Sequence, residues 1–150
     1  MTKTNRVLFL CTGNYYRSRY AEEIFNYRAG RDGLGWRAFS RAVAEKLSPE
    51  NVGPISRHAL EALEARGIAP ASAARHPVLC TPDDFAQAEL VVALKDAEHR
   101  PMVERRFASL AHRVQYWDVD DIEYLDPAIA LGKIDEQIGR LIAALQLRSR

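Results

Sequence analysis

Two kinds of apolar pattern alternate along the chain. Continuous runs at residues 7–10 and 90–94 have the bulky, β-branched content of strands buried on both faces. Trp36–Ala42 and residues 113–119 are further strand-like stretches of mixed polarity, the first suited to a sheet edge. Elsewhere apolar residues recur every three or four positions. Tyr20, Ala21, Ile24 and Phe25 predict a helix over about 18–29, and Ile55, Ala59, Leu60 and Leu63 a second one, stopped by Gly67. Thr81, Pro82 and Asp84 form a capping pattern for another. A helix follows from Lys95–Arg100 to about Phe107, and Ile134, Ile138, Leu141, Ile142 and Leu145 mark a C-terminal helix. Residues 69–79 read as loop. Strands alternating with helices predict an α/β fold: a doubly wound, four-stranded parallel sheet flanked by helices on both faces.

At 150 residues the chain is expected to form one domain, 1–150. Its 21 basic and 20 acidic residues nearly cancel, so no global field recruits nucleic acid or a membrane surface. Two cysteines do not make a disulfide framework, and no stretch has the length of a membrane span, so a cytoplasmic protein is expected. His58, His76, His99 and His112 lack metal-ligand spacing, and no metal or cofactor is expected.

The chemistry concentrates where the first apolar run ends. Cys11-Thr12-Gly13-Asn14-Tyr15-Tyr16-Arg17-Ser18 reads as strand end, tight loop and helix start. Successive backbone N–H groups in such a loop curl into a nest for a tetrahedral oxyanion. Gly13 and Asn14 tolerate the positive φ this requires. Arg17 adds a planar fork for two phosphate oxygens. Cys11, at the floor and facing a helix N-terminus, is placed as a thiolate nucleophile, with Ser18 able to donate to its sulfur.

This stretch resembles the signature of the low-molecular-weight protein-tyrosine phosphatases, Cys-x-Gly-Asn-x-Cys-Arg-Ser-Pro followed by Ala-Glu. Cys11, Gly13, Asn14, Arg17, Ser18, Ala21 and Glu22 match it. Tyr16 replaces the second cysteine and Arg19 the proline. The resemblance implies a phosphatase acting through phosphocysteine, with Cys11, Arg17 and an Asp acid as catalytic residues. Thr12, Gly13, Asn14, Tyr15, Tyr16, Arg17 and Ser18 would bind substrate, a phosphorylated protein or small aryl phosphate. A monomer or weak homodimer is expected. In relatives the acid usually precedes a proline, which Asp126-Pro127 matches literally. Asp121, closer to the last strand, is preferred, and crowding by Asp120 is expected to tune it. Tyr15 faces substrate in the resemblance, and Arg19 is expected to bring a second cation to the mouth. Two alternatives stand beside the phosphatase: a thioredoxin-coupled arsenate reductase, for which Cys80 is the sole further thiol, and a phosphate-binding module with little turnover. Cys80 reads as structural.

Overall fold

The computed structural model describes residues 4–148. Its strands are β1 (Asn5–Cys11), β2 (Trp36–Ala42), β3 (Leu90–Ala93) and β4 (Val114–Tyr116). They form one parallel sheet in the order β2-β1-β3-β4, so the two apolar runs become its centre and β2 an edge, as the pattern predicted. The helices are α1 (Arg17–Arg31), α2 (Arg57–Ala65), α3 (Pro82–Ala86), α4 (Asp96–Arg106) and α5 (Pro127–Arg148).

Alternation along β1 sorts the core into two layers. Val7, Phe9 and Cys11 pack with Tyr20, Ile24 and Phe25 of α1, Leu63 of α2, and Ile134 and Ile138 of α5. Leu8 and Leu10 pack on the opposite face with Phe85 of α3, Val103 of α4 and Phe107. All of Val7–Leu10 is fully buried.

The fourth strand is shorter than the expected 113–119. Residues 108–113 form a 3-10 helix, whose side-chain reach lets Arg113 donate to the carbonyls of Phe85 and Ala88. Past Tyr116 the chain stays attached to the end of β3 by single bonds, Trp117 N–H to Ala93 O and Val119 N–H to Leu94 O, both 2.8 Å. This attachment carries residues 118–126 to the carboxyl edge of the sheet, where β1 also ends. No helix among the described residues is long and apolar enough to cross a membrane.

Candidate active site

At the end of β1 the chain turns through residues 12–16 into α1. Asn14 adopts φ 52°, the one positive φ outside glycine among the described residues. Its fully buried side chain stabilises that conformation. Nδ2 donates to Ser18 Oγ at 3.0 Å and Ser40 Oγ at 2.9 Å, and Oδ1 accepts from Val78 N–H at 3.0 Å. Ser40 in turn donates to Glu22 Oε1, and Arg75 grips both oxygens of that carboxylate at 2.8 Å and 3.1 Å. Among the described residues, the backbone N–H groups of Gly13 to Arg17 have no protein acceptor, and the α1 N-terminus has no side-chain cap. A run of unpaired donors at a helix start is what an anion-binding nest requires.

Cys11 Sγ lies 3.0 Å from Ser18 Oγ. Because Ser18 Oγ already accepts from Asn14, its single proton is free to turn to an ionised sulfur. The Asn14–Ser18–Cys11 chain thus sets an oriented hydroxyl against the sulfur.

Arg17 is almost wholly buried, and its orientation is imposed from α4. Nη1 donates to Glu98 Oε1 at 3.0 Å and to Val119 O at 3.0 Å; Nη2 donates to Glu98 Oε2 at 2.7 Å. Nε is buried without a protein partner. The guanidinium edge of Nε–H and the second Nη2–H thus remains for a bidentate oxyanion. Glu98 is fixed by Thr12 Oγ1 and by fully buried His99, whose Nε2 lies 3.2 Å from it. Burial opposes ionisation of Glu98, but hydrogen bonds from His99 and Arg17 hold it well below the usual carboxylate range. His99 Nδ1 accepts from Lys95 N–H at 3.0 Å, which makes Nε2 the protonated nitrogen, and burial pushes its pKa down. Sequence reasoning missed both residues. Their only signal was position, in the first turn of the helix after a central strand, where an acidic residue already has a role with the helix dipole.

A cavity of about 460 Å³ opens over this floor, lined among others by Cys11, Gly13, Tyr15, Tyr16, Arg17 and Asp121. Asp121 Oδ2 is 3.6 Å from Arg17 Nη2. Asp126 does not line the cavity; its Oδ1 accepts from Ala128 N–H at 2.9 Å and caps α5, with Pro127 in the first helical position. Asp120 turns to Lys95 at 3.0 Å, so the acidic pair faces different cations instead of crowding.

One expectation about the mouth of the cavity needs correction. Arg19 is no cation at the mouth: it is fully buried, donating to Pro54 O and Ser72 O, each at 2.8 Å. Tyr16 lines the cavity but is only 6% exposed, sits edge-on to His58, and keeps its hydroxyl unpaired among the described residues. Burial and the nearby Asp121 push its phenol up to about 12. Tyr15 does line the cavity, pinned by its hydroxyl to Val52 O at 2.6 Å. Cys80 is buried in the core layer opposite that of Cys11, and burial raises its pKa to about 12.

Comparison with known proteins gives one answer. The family model for low molecular weight phosphotyrosine protein phosphatase matches residues 6–146. A Synechocystis sp. protein named as a candidate low molecular weight protein-tyrosine-phosphatase is 31% identical over 108 residues, 71% of this chain and 66% of that protein. The alignment thus spans just under two thirds of that relative. The crystal structure of a low molecular weight protein tyrosine phosphatase from T. tengcongensis superimposes with a TM-score of 0.78 at 27% identity, covering 93% of this chain and 99% of that one. YwlE, of Bacillus subtilis, described as an arginine phosphatase, gives 0.75 at 26% identity in a form with a phosphorylated active-site serine, covering 94% and 95%.

Proposed function

The chain belongs to the low molecular weight phosphotyrosine protein phosphatase family of cysteine-dependent hydrolases, and from that membership we propose that it hydrolyses aryl phosphomonoesters, protein phosphotyrosine foremost, through a phosphocysteine. The observation that carries this reading is the single cavity that Cys11, Arg17 and Asp121 share above a loop of unpaired N–H groups.

The phosphoryl group is received by the N–H groups of residues 13–17 and by the open Nε/Nη2 edge of Arg17. The Cys11 thiolate attacks phosphorus; the S–P bond forms as the P–O bond to the leaving group breaks. Asp121, protonated, gives its proton to the departing oxygen. In the second step Asp121 takes a proton from water as the water oxygen attacks phosphorus. The S–P bond breaks, the thiolate returns, stabilised by Ser18, and inorganic phosphate leaves. No step requires a metal, and no group of three or more potential ligands capable of holding one occurs among the described residues.

Tyr15 supports the aryl class. Its ring lines the cavity, and the bond to Val52 O keeps it in place as a wall on which a leaving-group ring can stack, worth about 0.5–1.5 kcal/mol beyond area burial. Glu50, Asp121 and Glu123 also line the cavity, and these carboxylates support phosphoarginine as a second reading, alongside the likeness to an arginine phosphatase. An arsenate-reductase relay is disfavoured, because the two thiols lie in core layers on opposite faces of the sheet.

The test is turnover of p-nitrophenyl phosphate, a phosphotyrosine peptide and a phosphoarginine peptide by wild type and Cys11→Ser. Aryl turnover that vanishes in Cys11→Ser is the expected result, and preference for the phosphoarginine peptide would establish the second reading. No turnover of any substrate, with phosphate still protecting Cys11 from alkylation, would overturn hydrolysis and leave a phosphate-binding module.

A further inference from the structure

The two halves of the cavity are held in different ways. The phosphoryl half has its own anchorage: Asn14 is bonded to Ser18, Ser40 and Val78, and Arg17 to Glu98 and Val119. The leaving-group half is formed largely by the segment after β2, with Ser48, Glu50, Asn51, Ser56, Arg57 and His58 lining the cavity. From Ala44 to Pro54 no residue of that segment is buried, so no apolar packing fixes its course. Its position depends on polar ties.

Arg19 supplies the best-protected tie. Its guanidinium, fully buried, reaches in two directions, with Nη1 to Pro54 O and Nη2 to Ser72 O. The Ser72 end is a fixed pivot, because the Glu23 carboxylate grips Ala71 N–H, Ser72 N–H and Ser72 Oγ at 2.9, 3.0 and 2.5 Å. Burial and the neighbouring Arg75 lower the Arg19 pKa to about 10, and the group remains a cation at neutral pH. The wall's start is tied to α4, where Arg106 Nη1 donates to Ala44 O at 3.0 Å and Arg105 lies 3.7 Å from Glu45. Its further ties come from the phosphate loop: Tyr15 Oη to Val52 O, Ser56 N–H to Tyr15 O, and the approach of Asn51 to Gly13, where an added Cβ would lie 3.3 Å from Asn51 Nδ2. Among the described residues, the hydrogen bond that Arg19 makes to the phosphate loop is a long one, 3.5 Å to Asn14 O.

We propose that Arg19 is a specificity-determining positioning residue, holding the 44–54 wall against the phosphate loop and so setting how the organic half of a phosphomonoester fits. The phosphoryl half is bound independently of it. The family signature has proline at this position, which has no side-chain donor to do this. The inference deepens the phosphatase reading and takes its ligand class from it.

The experiment compares wild type with Arg19→Gln and Arg19→Lys, each checked by thermal melt. Affinities for inorganic phosphate and for phenylphosphonate are read from protection of Cys11 against iodoacetamide. In Arg19→Gln, phosphate affinity is expected within about twofold of wild type and phenylphosphonate about fivefold to tenfold weaker, because the wall must be ordered on binding. Arg19→Lys, able to reach one carbonyl, falls between, and carries the test if the Gln variant does not fold. In turnover, KM for p-nitrophenyl phosphate rises in the same ratio while kcat stays within about twofold. Equal weakening of both ligands, or no change in either, overturns the proposal. Wild type without turnover but with the ligand discrimination intact overturns the phosphatase reading and leaves this one standing.

Discussion

The phosphate loop and the acid loop meet in one cavity but are built on opposite principles. In the first, Asn14, Arg17 and Ser18 are buried, and Asn14 and Arg17 are bonded to partners distant in sequence while Ser18 is held between Asn14 and Cys11. In the second, Asp118, Ile122, Glu123 and Tyr124 are exposed. Past Asp121 its backbone bonds are local, as where Tyr124 and Leu125 N–H return to Asp121 O and Asp121 Oδ1 accepts from Ile122 N–H. Its distant ties are ion pairs of half-exposed or exposed carboxylates, such as Asp118 and Asp120 with Lys95. The division follows the chemistry. Donors that stabilise transition-state charge work best when they need no reorganisation. A carboxyl that must exchange protons with a leaving group and with water has to stay within reach of solvent.

The comparison breaks most severely if its centre is removed. Cys11→Ser should lower kcat by at least about 10⁴-fold, since the neighbouring donors cannot replace the nucleophile. Arg17→Lys should follow with a loss of about 10²–10³-fold, because an ammonium reproduces neither the fork on Glu98 nor the open Nε/Nη2 edge. Glu98→Gln leaves Arg17 in place but loses one charged acceptor, and about a tenfold fall in kcat/KM is expected. Steady-state kinetics with p-nitrophenyl phosphate checks all three; a Glu98→Gln enzyme indistinguishable from wild type would mean that Arg17 is oriented by the loop alone.

The acid loop sharpens the contrast, because its two candidate carboxylates do different work. Asp121→Asn should reduce kcat about 10²-fold or more for a poor leaving group such as phenol, and less for p-nitrophenol, which departs without a proton. Asp126→Ala should leave kcat within about twofold while costing about 1 kcal/mol of stability through the lost α5 cap. Reversed outcomes would exchange the roles.

These residues also mark how far the sequence could be read. β1, β3 and the phosphate loop were legible because their signals are local: continuous apolar runs, and Gly13, Asn14 and Arg17 at fixed offsets from Cys11. Asp126-Pro127 was ambiguous in sequence, since an Asp before a proline is equally a helix N-cap pattern. Arg19 and Glu98 were beyond reach. Arg19 takes its meaning from carbonyls at positions 54 and 72, and Glu98 from a guanidinium at position 17, distances in sequence at which no periodicity or spacing operates. The burial of Tyr16 was hidden for a related reason: its ring packs edge-on to His58 of α2, a contact that local reading does not foresee.

The smallest effect expected is a pH dependence of stability from His99. The ring is fully buried, its Nδ1 is occupied by Lys95 N–H, and burial holds its pKa below the unfolded value of 6.5. As pH falls through 6.5 the unfolded chain takes up a proton that the folded chain does not. The unfolded state then binds more protons, and stability falls with decreasing pH by up to about 1.4 kcal/mol per pH unit from this one group. His58, His76 and His112 are exposed and face no such burial. Glu98, the ring's partner, has a depressed pKa, so its own contribution is lost only below its unfolded value of 4.5. Urea unfolding of wild type and His99→Gln between pH 5 and 7.5 therefore isolates the histidine: the wild-type curve should slope downward toward acid, and the variant should lose that share of the slope. Parallel curves would mean that His99 is protonated in the fold and that Glu98 is held by an imidazolium, which would tie Arg17 and the phosphate loop to a charge that titrates.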